Sequence, residues 1–161
     1  MRRILLFATL LSFWLLLNGS LAQDVVLAGL VVSAIIALAF DPDISFLSEF
    51  RATPKAFMAA LLYIPFFAKE LVKANLDVAR IVANPALPLT PGIVKVRTRL
   101  KSRTGRALLA NSITLTPGTL TVEMEGEYLY IHWVHVESDS IEGATQAIVS
   151  GFEPYLEAMY G

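Results

Sequence analysis

The sequence predicts a membrane α-helical hairpin, an interfacial or third transmembrane helix, and a small cytoplasmic α+β domain of β-α-β-β-α order, a ferredoxin-like sandwich. Three observations predict it. Residues Ile4 to Phe40, 37 in all, carry one charge, Asp24. Residues 56–82 join an apolar half to a half with regularly spaced charges. From Pro91 onward, apolar residues recur with the periods of strands and helices in a water-soluble domain. The organisation read from this is a hairpin over 1–40, a surface connection and helix over 41–90, and an α+β domain over 91–161.

In the first part, the polar cluster Asn18-Gly19-Ser20 with Gln23-Asp24 divides two apolar runs, Ile4–Leu17 and Val25–Phe40. A bilayer core about 30 Å thick needs about 20 helical residues. The first run reaches that length if it continues through Ala22, and the second is slightly short. A secretory signal peptide is the competing reading, with Arg2-Arg3 as its basic start and Ser20-Leu21-Ala22 as a cleavage site. The second run follows at once and argues for retention. Arg2 and Arg3 before the hairpin, Arg51 and Lys55 after it, and a turn without Lys or Arg place both ends in the cytoplasm. The expected location is a bacterial inner membrane, with the chain multi-pass and its C-terminal domain cytoplasmic. Residues 41–54, with prolines at 42 and 54, read as a membrane-surface connection.

Ala56–Ala68 is apolar but short, contains Pro65, and runs into Lys69, Glu70, Lys73, Asp77 and Arg80. Each charge at a bilayer centre costs about 2.5–3.5 kcal/mol against about 0.3–0.6 returned per apolar residue, so a span centred there loses. An interfacial helix is favoured over a third span from about residue 52 to 70, which would export the basic residues at 95–106. Glu70, Lys73, Asp77 and Arg80 fall on one helical stripe, with opposite charges in reach of each other. Leu71, Val78 and Val82 form the other face. Asn75 sits within it, and an amide there asks for a partner on another protein helix. The charged stripe also reads simply as a solvated face.

Val94, Val96, Thr98 and Leu100 alternate with Lys95, Arg97, Arg99 and Lys101, as in a half-buried strand. Residues 104–116 read as a helix stopped by Pro117-Gly118. Leu120, Val122 and Met124 alternate with Thr121, Glu123 and Glu125, and a turn near Gly126 leads to a strand over Tyr128–Val136. A last helix runs from about Ile141 to Glu153, with Ser138 to Ser140 offering caps and Pro154 ending or kinking it. The basic row on the open sheet face is read as neutralised by Glu123 and Glu125 across strands, or as contacting anionic lipid through Lys95, Arg97, Arg99 and Lys101.

The composition narrows the function classes. The 161 residues are 55% hydrophobic and 17% charged, more apolar than the roughly 45–50% and about 25% of an ordinary soluble domain. A balance of 13 basic against 14 acidic residues argues against a nucleic-acid binder, as does the absence of Lys or Arg after Arg106. With no Cys there is no disulfide scaffold or thiol nucleophile. His132 and His135 are three apart in a strand and point to opposite faces, so they do not share a metal. No phosphate-loop, dinucleotide or serine-hydrolase motif is present. The residues imply no catalytic site, no metal and no cofactor.

Longer motifs carry a resemblance. Phe67–Val82, Pro91-Gly92-Ile93-Val94, the run Ala110–Thr121 and Tyr130-Ile131-His132 together resemble the E subunit of the multisubunit Na+/H+ antiporters of the Mrp or Mnh type. Pro65 and the cleavable look of Ser20-Leu21-Ala22 are departures from that pattern. The resemblance implies an accessory membrane subunit of a monovalent cation (Na+ or K+)/proton antiporter. It would support assembly and stability of the complex, with ion and proton pathways chiefly in other, larger subunits, and it would not be an enzyme. Other antiporter subunits and the lipid bilayer are the implied partners. Lys69, Glu70, Lys73, Asn75 and Asp77 are the candidate interface or ion-pathway-adjacent residues. Thr114, Thr116, Pro117, Gly118 and Thr119 are the structural family signature. A membrane-tethered cytoplasmic interaction domain with no transport partner is the alternative.

Overall fold

The computed structural model describes residues 2–40, 49–86 and 89–161, so Asp41, Pro42 and Asp43 of the expected surface connection lie outside the described residues. The chain divides into two units, Met1–Phe50 and Arg51–Gly161. The first holds α1 (Arg2–Asn18) and α2 (Gln23–Ala39), each of 17 residues. α1 stops where it does because Gly19 takes a left-handed φ of +58°, closing the helix with its N–H on the Leu15 carbonyl at 3.0 Å. The two helices pack on each other through small residues. Gly29, Ser33 and Ala37, spaced by four, are the buried positions of α2. A Cβ on Gly29 would come within 2.5 Å of the Trp14 ring, whose indole N–H donates to the Val25 carbonyl at 3.0 Å.

This pair corrects the expected membrane hairpin. Among the described residues no helix is long and apolar enough to cross a membrane. The physical reason is the break at Gly19, which keeps the first helix from continuing through Ala22. Seventeen residues rise only about 25 Å at 1.5 Å each, short of the roughly 30 Å hydrocarbon thickness.

The second unit begins with α3 (Pro54–Ala83), a single helix of 30 residues. Thr53 caps it by accepting the Ala56 N–H at 3.2 Å, and Pro54 occupies its first turn, where a missing N–H costs nothing. Pro65 lies inside it without ending it. The third transmembrane option is excluded with the hairpin: α3 has the length, but Lys69, Glu70, Lys73, Asp77 and Arg80 crowd its second half.

Beyond α3 come β1 (Gly92–Arg97), α4 (Arg103–Leu115), β2 (Thr119–Glu125), β3 (Tyr128–Trp133), α5 (Ile141–Ile148) and α6 (Glu153–Tyr160). The sheet order is β1-β3-β2, with both pairings antiparallel. Ser102 and Ser140 cap α4 and α5, and Gly126 at φ +57° makes the β2–β3 turn. Val96, Leu129 and Ile131 of the sheet are fully covered, as are Leu109 of α4 and Leu156 of α6.

Three local expectations are corrected. The single last helix is two, because the chain breaks after Ile148 and Pro154 starts the first turn of α6. No fourth strand completes a ferredoxin-like sheet among the described residues, and α6 occupies the chain end instead. In β2 a register shift between Thr121 and Glu123 interrupts the alternation. Ahead of the shift Thr119 and Thr121 face α4, Thr121 donating to the Ala110 carbonyl at 3.1 Å, and Leu120, Val122 and Met124 are 50%, 56% and 43% exposed.

β1 is tied to α6 by a buried carboxylate. Glu153 is 5% exposed and accepts from the Thr98 hydroxyl at 2.8 Å, the Arg99 N–H at 2.6 Å and the Arg99 Nε at 3.0 Å. Its burial is tolerable because these donors replace water. Glu153→Ala should lower stability by about 3 kcal/mol, the scale for stranding buried partners of a charged acceptor. Denaturant unfolding of the purified chain measures it; a change within about 0.5 kcal/mol, typical of neutral surface substitutions, would remove this account.

Candidate functional site

α3 docks on the α+β layer through aromatic rings. Phe66 lies edge-on to Phe152 at 5.4 Å between centroids and stacks on Tyr155 at 4.9 Å, while Tyr63 meets Tyr155 at 6.0 Å. The Tyr63 hydroxyl shares a hydrogen bond with Ser112, whose own hydroxyl reaches the Leu108 carbonyl within α4. Burial raises the Tyr63 phenol above its usual value near 10.0, and the Ser112 bond offsets part of that rise. Ala56 and Ala59, both buried, let the first turns of α3 approach closely.

Beyond Phe66 the same side of α3 borders a cleft of about 360 Å³. Glu70, Lys73, Asp77, Val78 and Ile81 form the α3 wall. Opposite them stand the α4–β2 turn, Thr116 to Thr119, and the segment containing Trp133, His135 and Glu137. Ile113, Ile148 and Phe152 also line it and are otherwise buried, so they form its floor.

The turn is held rigidly. The Thr116 hydroxyl donates to the Ser112 carbonyl at 2.8 Å, and the Thr119 hydroxyl donates to the Ile113 carbonyl at 2.7 Å. Thr114 accepts the Thr121 N–H at 3.1 Å, and the Val134 N–H donates to the Gly118 carbonyl at 2.9 Å. Gly118 has φ +93°, and a Cβ there would lie 3.5 Å from Val78 of α3. Thr114, Thr116, Gly118 and Thr119 thus fix the end of α4 to the sheet and set the cleft wall. Pro117 and Gly118 line the cleft; Thr114 does not.

Of the candidate site residues, Glu70, Lys73 and Asp77 share the cleft, whereas Lys69 and Asn75 are exposed outside it. Asp77 pairs with Arg80 at 2.6 Å, but both are well solvated and the pair contributes little. The Asn75 amide donates to the Leu71 carbonyl at 2.7 Å, so its donor is satisfied within its own helix. The opposite side of α3 carries an exposed apolar stripe: Met58, Leu61 and Ile64 are 57–67% exposed, and Val72 and Leu76 continue it. Trp133, His135 and Glu137 were not selected by sequence reasoning. No spacing links them to residues 70–77, although His135 carries the polar signal; its Nδ1 lies 3.0 Å from the Thr90 hydroxyl. Among the described residues no cluster of three or more His, Cys, Asp or Glu could hold a metal.

Of the basic row at 95–101, Lys95, Arg97 and Arg99 are engaged by the protein itself, and β1 ends at Arg97. Arg97 pairs with Glu127 at 2.9 Å, Arg99 with Glu153, and Lys95 Nζ sits 4.0 Å from the Tyr128 ring centroid. Neutralisation comes from the hairpin turn and α6, and not from Glu123 and Glu125, because β3 lies between β1 and β2.

Residues 7–159 match the family described as Na+/H+ ion antiporter subunit. The chain is 45% identical to the E subunit of the Na+/H+ antiporter of Alkalihalophilus pseudofirmus over 80 residues, which span 48% of this chain and about half, 51%, of that one. With the E1 subunit of the Na+/H+ antiporter of Staphylococcus haemolyticus it is 31% identical over 156 residues, covering 91% and 92% of the two chains. It also superposes on a chain of the membrane-bound sulfane sulfur reductase, an archaeal respiratory membrane complex, with a TM-score of 0.83, 39% identity and 96% coverage of both chains.

The Tyr63 phenol sets a pH dependence. A raised folded pKa means that the stabilisation is complete below the unfolded value near 10.0 and is lost as pH rises from there through the folded value. Unfolding midpoints between pH 8 and pH 11 should therefore fall more steeply for the unaltered chain than for Tyr63→Phe. Parallel profiles would show that the ring is not buried as described.

Proposed function

We propose a role for this chain from one premise: it belongs to the E-subunit family of the multisubunit Na+/H+ antiporters of the Mrp or Mnh type. It is a component of a multisubunit cation/proton antiporter, associated with a membrane, and other subunits are its partners. Its role there is assembly and stability, without enzymatic activity of its own, while the ion and proton pathways run mainly through other subunits. The observation that carries this is the outer side of α3, where Met58, Leu61, Ile64, Val72 and Leu76 form an exposed apolar stripe. A surface of that kind marks an interaction site. Lys69 and Asn75 lie on the exposed side as polar contacts to a neighbouring subunit, and Glu70, Lys73 and Asp77 stand apart from it at the cleft.

Lys55, Lys69 and Arg80 follow one edge of the apolar stripe, the charge that an anionic cytoplasmic leaflet attracts. We therefore assign residues 51–161 to the cytoplasmic side of a bacterial inner membrane. The close match to a chain of a respiratory complex supports a second reading, in which the same type of subunit serves inside a larger respiratory assembly. Redox subunits among the co-purifying proteins would distinguish it.

Removal of this chain should abolish antiport by the whole complex, and the chain alone in vesicles should move no cation; efflux from such vesicles would overturn the accessory role. Leu61→Asp with Val72→Asp should reduce co-purification of partner subunits by about tenfold, the change that 1.4 kcal/mol brings. Asn75→Leu should reduce it less. Unchanged recovery of partners with the double variant would move the interface elsewhere. A reporter active only in the cytoplasm should work when fused after Gly161, and one active only in the periplasm should not.

A further inference from the structure

We propose that the cleft beside α3 holds one phospholipid with a zwitterionic, amine-bearing head group, its acyl chain on the floor and its head group at the mouth. This goes beyond the role in the complex and rests on it only for the membrane that supplies the lipid.

The volume of about 360 Å³ falls within the range of small-molecule sites, roughly 300–1,000 Å³. Its walls are chiefly apolar: Val78 and Ile81 from α3, with Ile113, Ile148 and Phe152 beneath. The apolar floor offers water few polar partners, so an apolar occupant is favoured there. The α3 wall is helical, with its backbone groups paired within the helix, and in the opposite wall the Val134 N–H already donates to the Gly118 carbonyl and the Thr119 N–H to the Thr116 carbonyl. An inserted peptide would leave its own N–H and C=O groups unpaired, at a cost of about 1–3 kcal/mol each. An acyl chain has no such groups to lose.

The mouth selects the head group. Lys73 supplies one ammonium, and Glu70 and Glu137 supply two carboxylates, Asp77 beside them being paired with Arg80. Glu70 and Lys73 make no ion pair or hydrogen bond with each other or with other described residues, so their charge is open to a ligand. Lys73 suits a phosphate, and the surrounding carboxylates suit an amine beside it. A purely anionic head group meets the excess of carboxylates and is disfavoured. Trp133 adds an amphipathic wall of the kind that sits between apolar and wet surroundings.

The test uses the full chain in vesicles of phosphatidylethanolamine or phosphatidylglycerol, each doped with the same lipid bearing a photoreactive group on its acyl chain. Cross-linked peptides are mapped by mass spectrometry. Val78, Ile81 or Ile148 should be labelled, several-fold more from phosphatidylethanolamine. Ala147→Trp, on an exposed lining position of α5, should cut that labelling several-fold while leaving labels on Leu61 and Val72 unchanged. Ala74→Trp on the opposite wall should act alike, and unchanged unfolding midpoints confirm that both variants fold. Labels confined to the outward side of α3, equal labelling of the variants, or a preference for phosphatidylglycerol would overturn the proposal. So would cleft residues that cross-link to a neighbouring subunit in the assembled complex. Co-purification tests the role in the complex separately, so the two can fail independently.

Discussion

The contact between α3 and α6 is the constraint on which the second unit depends. Phe66 wedges between Phe152 and Tyr155, and Tyr63 anchors to Ser112. Aromatic pairs of this sort contribute about 0.5–1.5 kcal/mol each beyond the area they bury. They also fix the rotation of a 30-residue helix about its axis. Once Phe66 faces α6, the 3.6-residue repeat brings Glu70, Asp77 and Ile81 to the same side. Leu61, Val72 and Leu76 are carried to the other. One packing choice near the middle of α3 thereby determines both what lines the cleft and what is left exposed.

The partner surface has to be firm for that choice to hold. Glu153 ties the end of β1 to the start of α6, one residue beyond Phe152. The threonine bonds of the α4–β2 turn hold Gly118 against Val78 at the far end of the contact. Only glycine serves well there, since its φ of +93° is one that side-chain-bearing residues rarely adopt. Thr116 to Thr119 thus have a mechanical role: they position a wall and close backbone hydrogen bonds.

Local structure was legible where its cause is local. The alternation at Val94 to Arg97 marks β1, the serines at 102 and 140 mark two helix starts, and Pro117-Gly118 marks the end of α4. Hydropathy overreached at the front of the chain. It counts apolar residues and is blind to a left-handed glycine at position 19 that divides them into helices of 17. The register shift at Thr121 and the carboxylate of Glu153 were hidden for a related reason. A bulge is visible only against the partner strand, and a buried acid announces itself only through donors 54 and 55 residues away in sequence. In the cleft, the 70–77 spacing indicated one stripe, but nothing in sequence indicated that His135 and Glu137 would stand opposite it.

The orientation of α3 reverses the rule for a helix on a soluble domain. Such a helix buries its apolar stripe and solvates its charges. Here Glu70 is half-buried on the inner side, and Leu61, Ile64 and Val72 are 65%, 67% and 59% exposed on the outer. At about 25 cal/mol per Å², an apolar stripe of this length is too costly to leave in water when a half-turn rotation would bury it. The aromatic contacts that prevent that rotation therefore commit the chain to having something else cover the stripe. The fold is thus consistent within itself while leaving this apolar stripe exposed, the surface on which the proposed role in a complex rests.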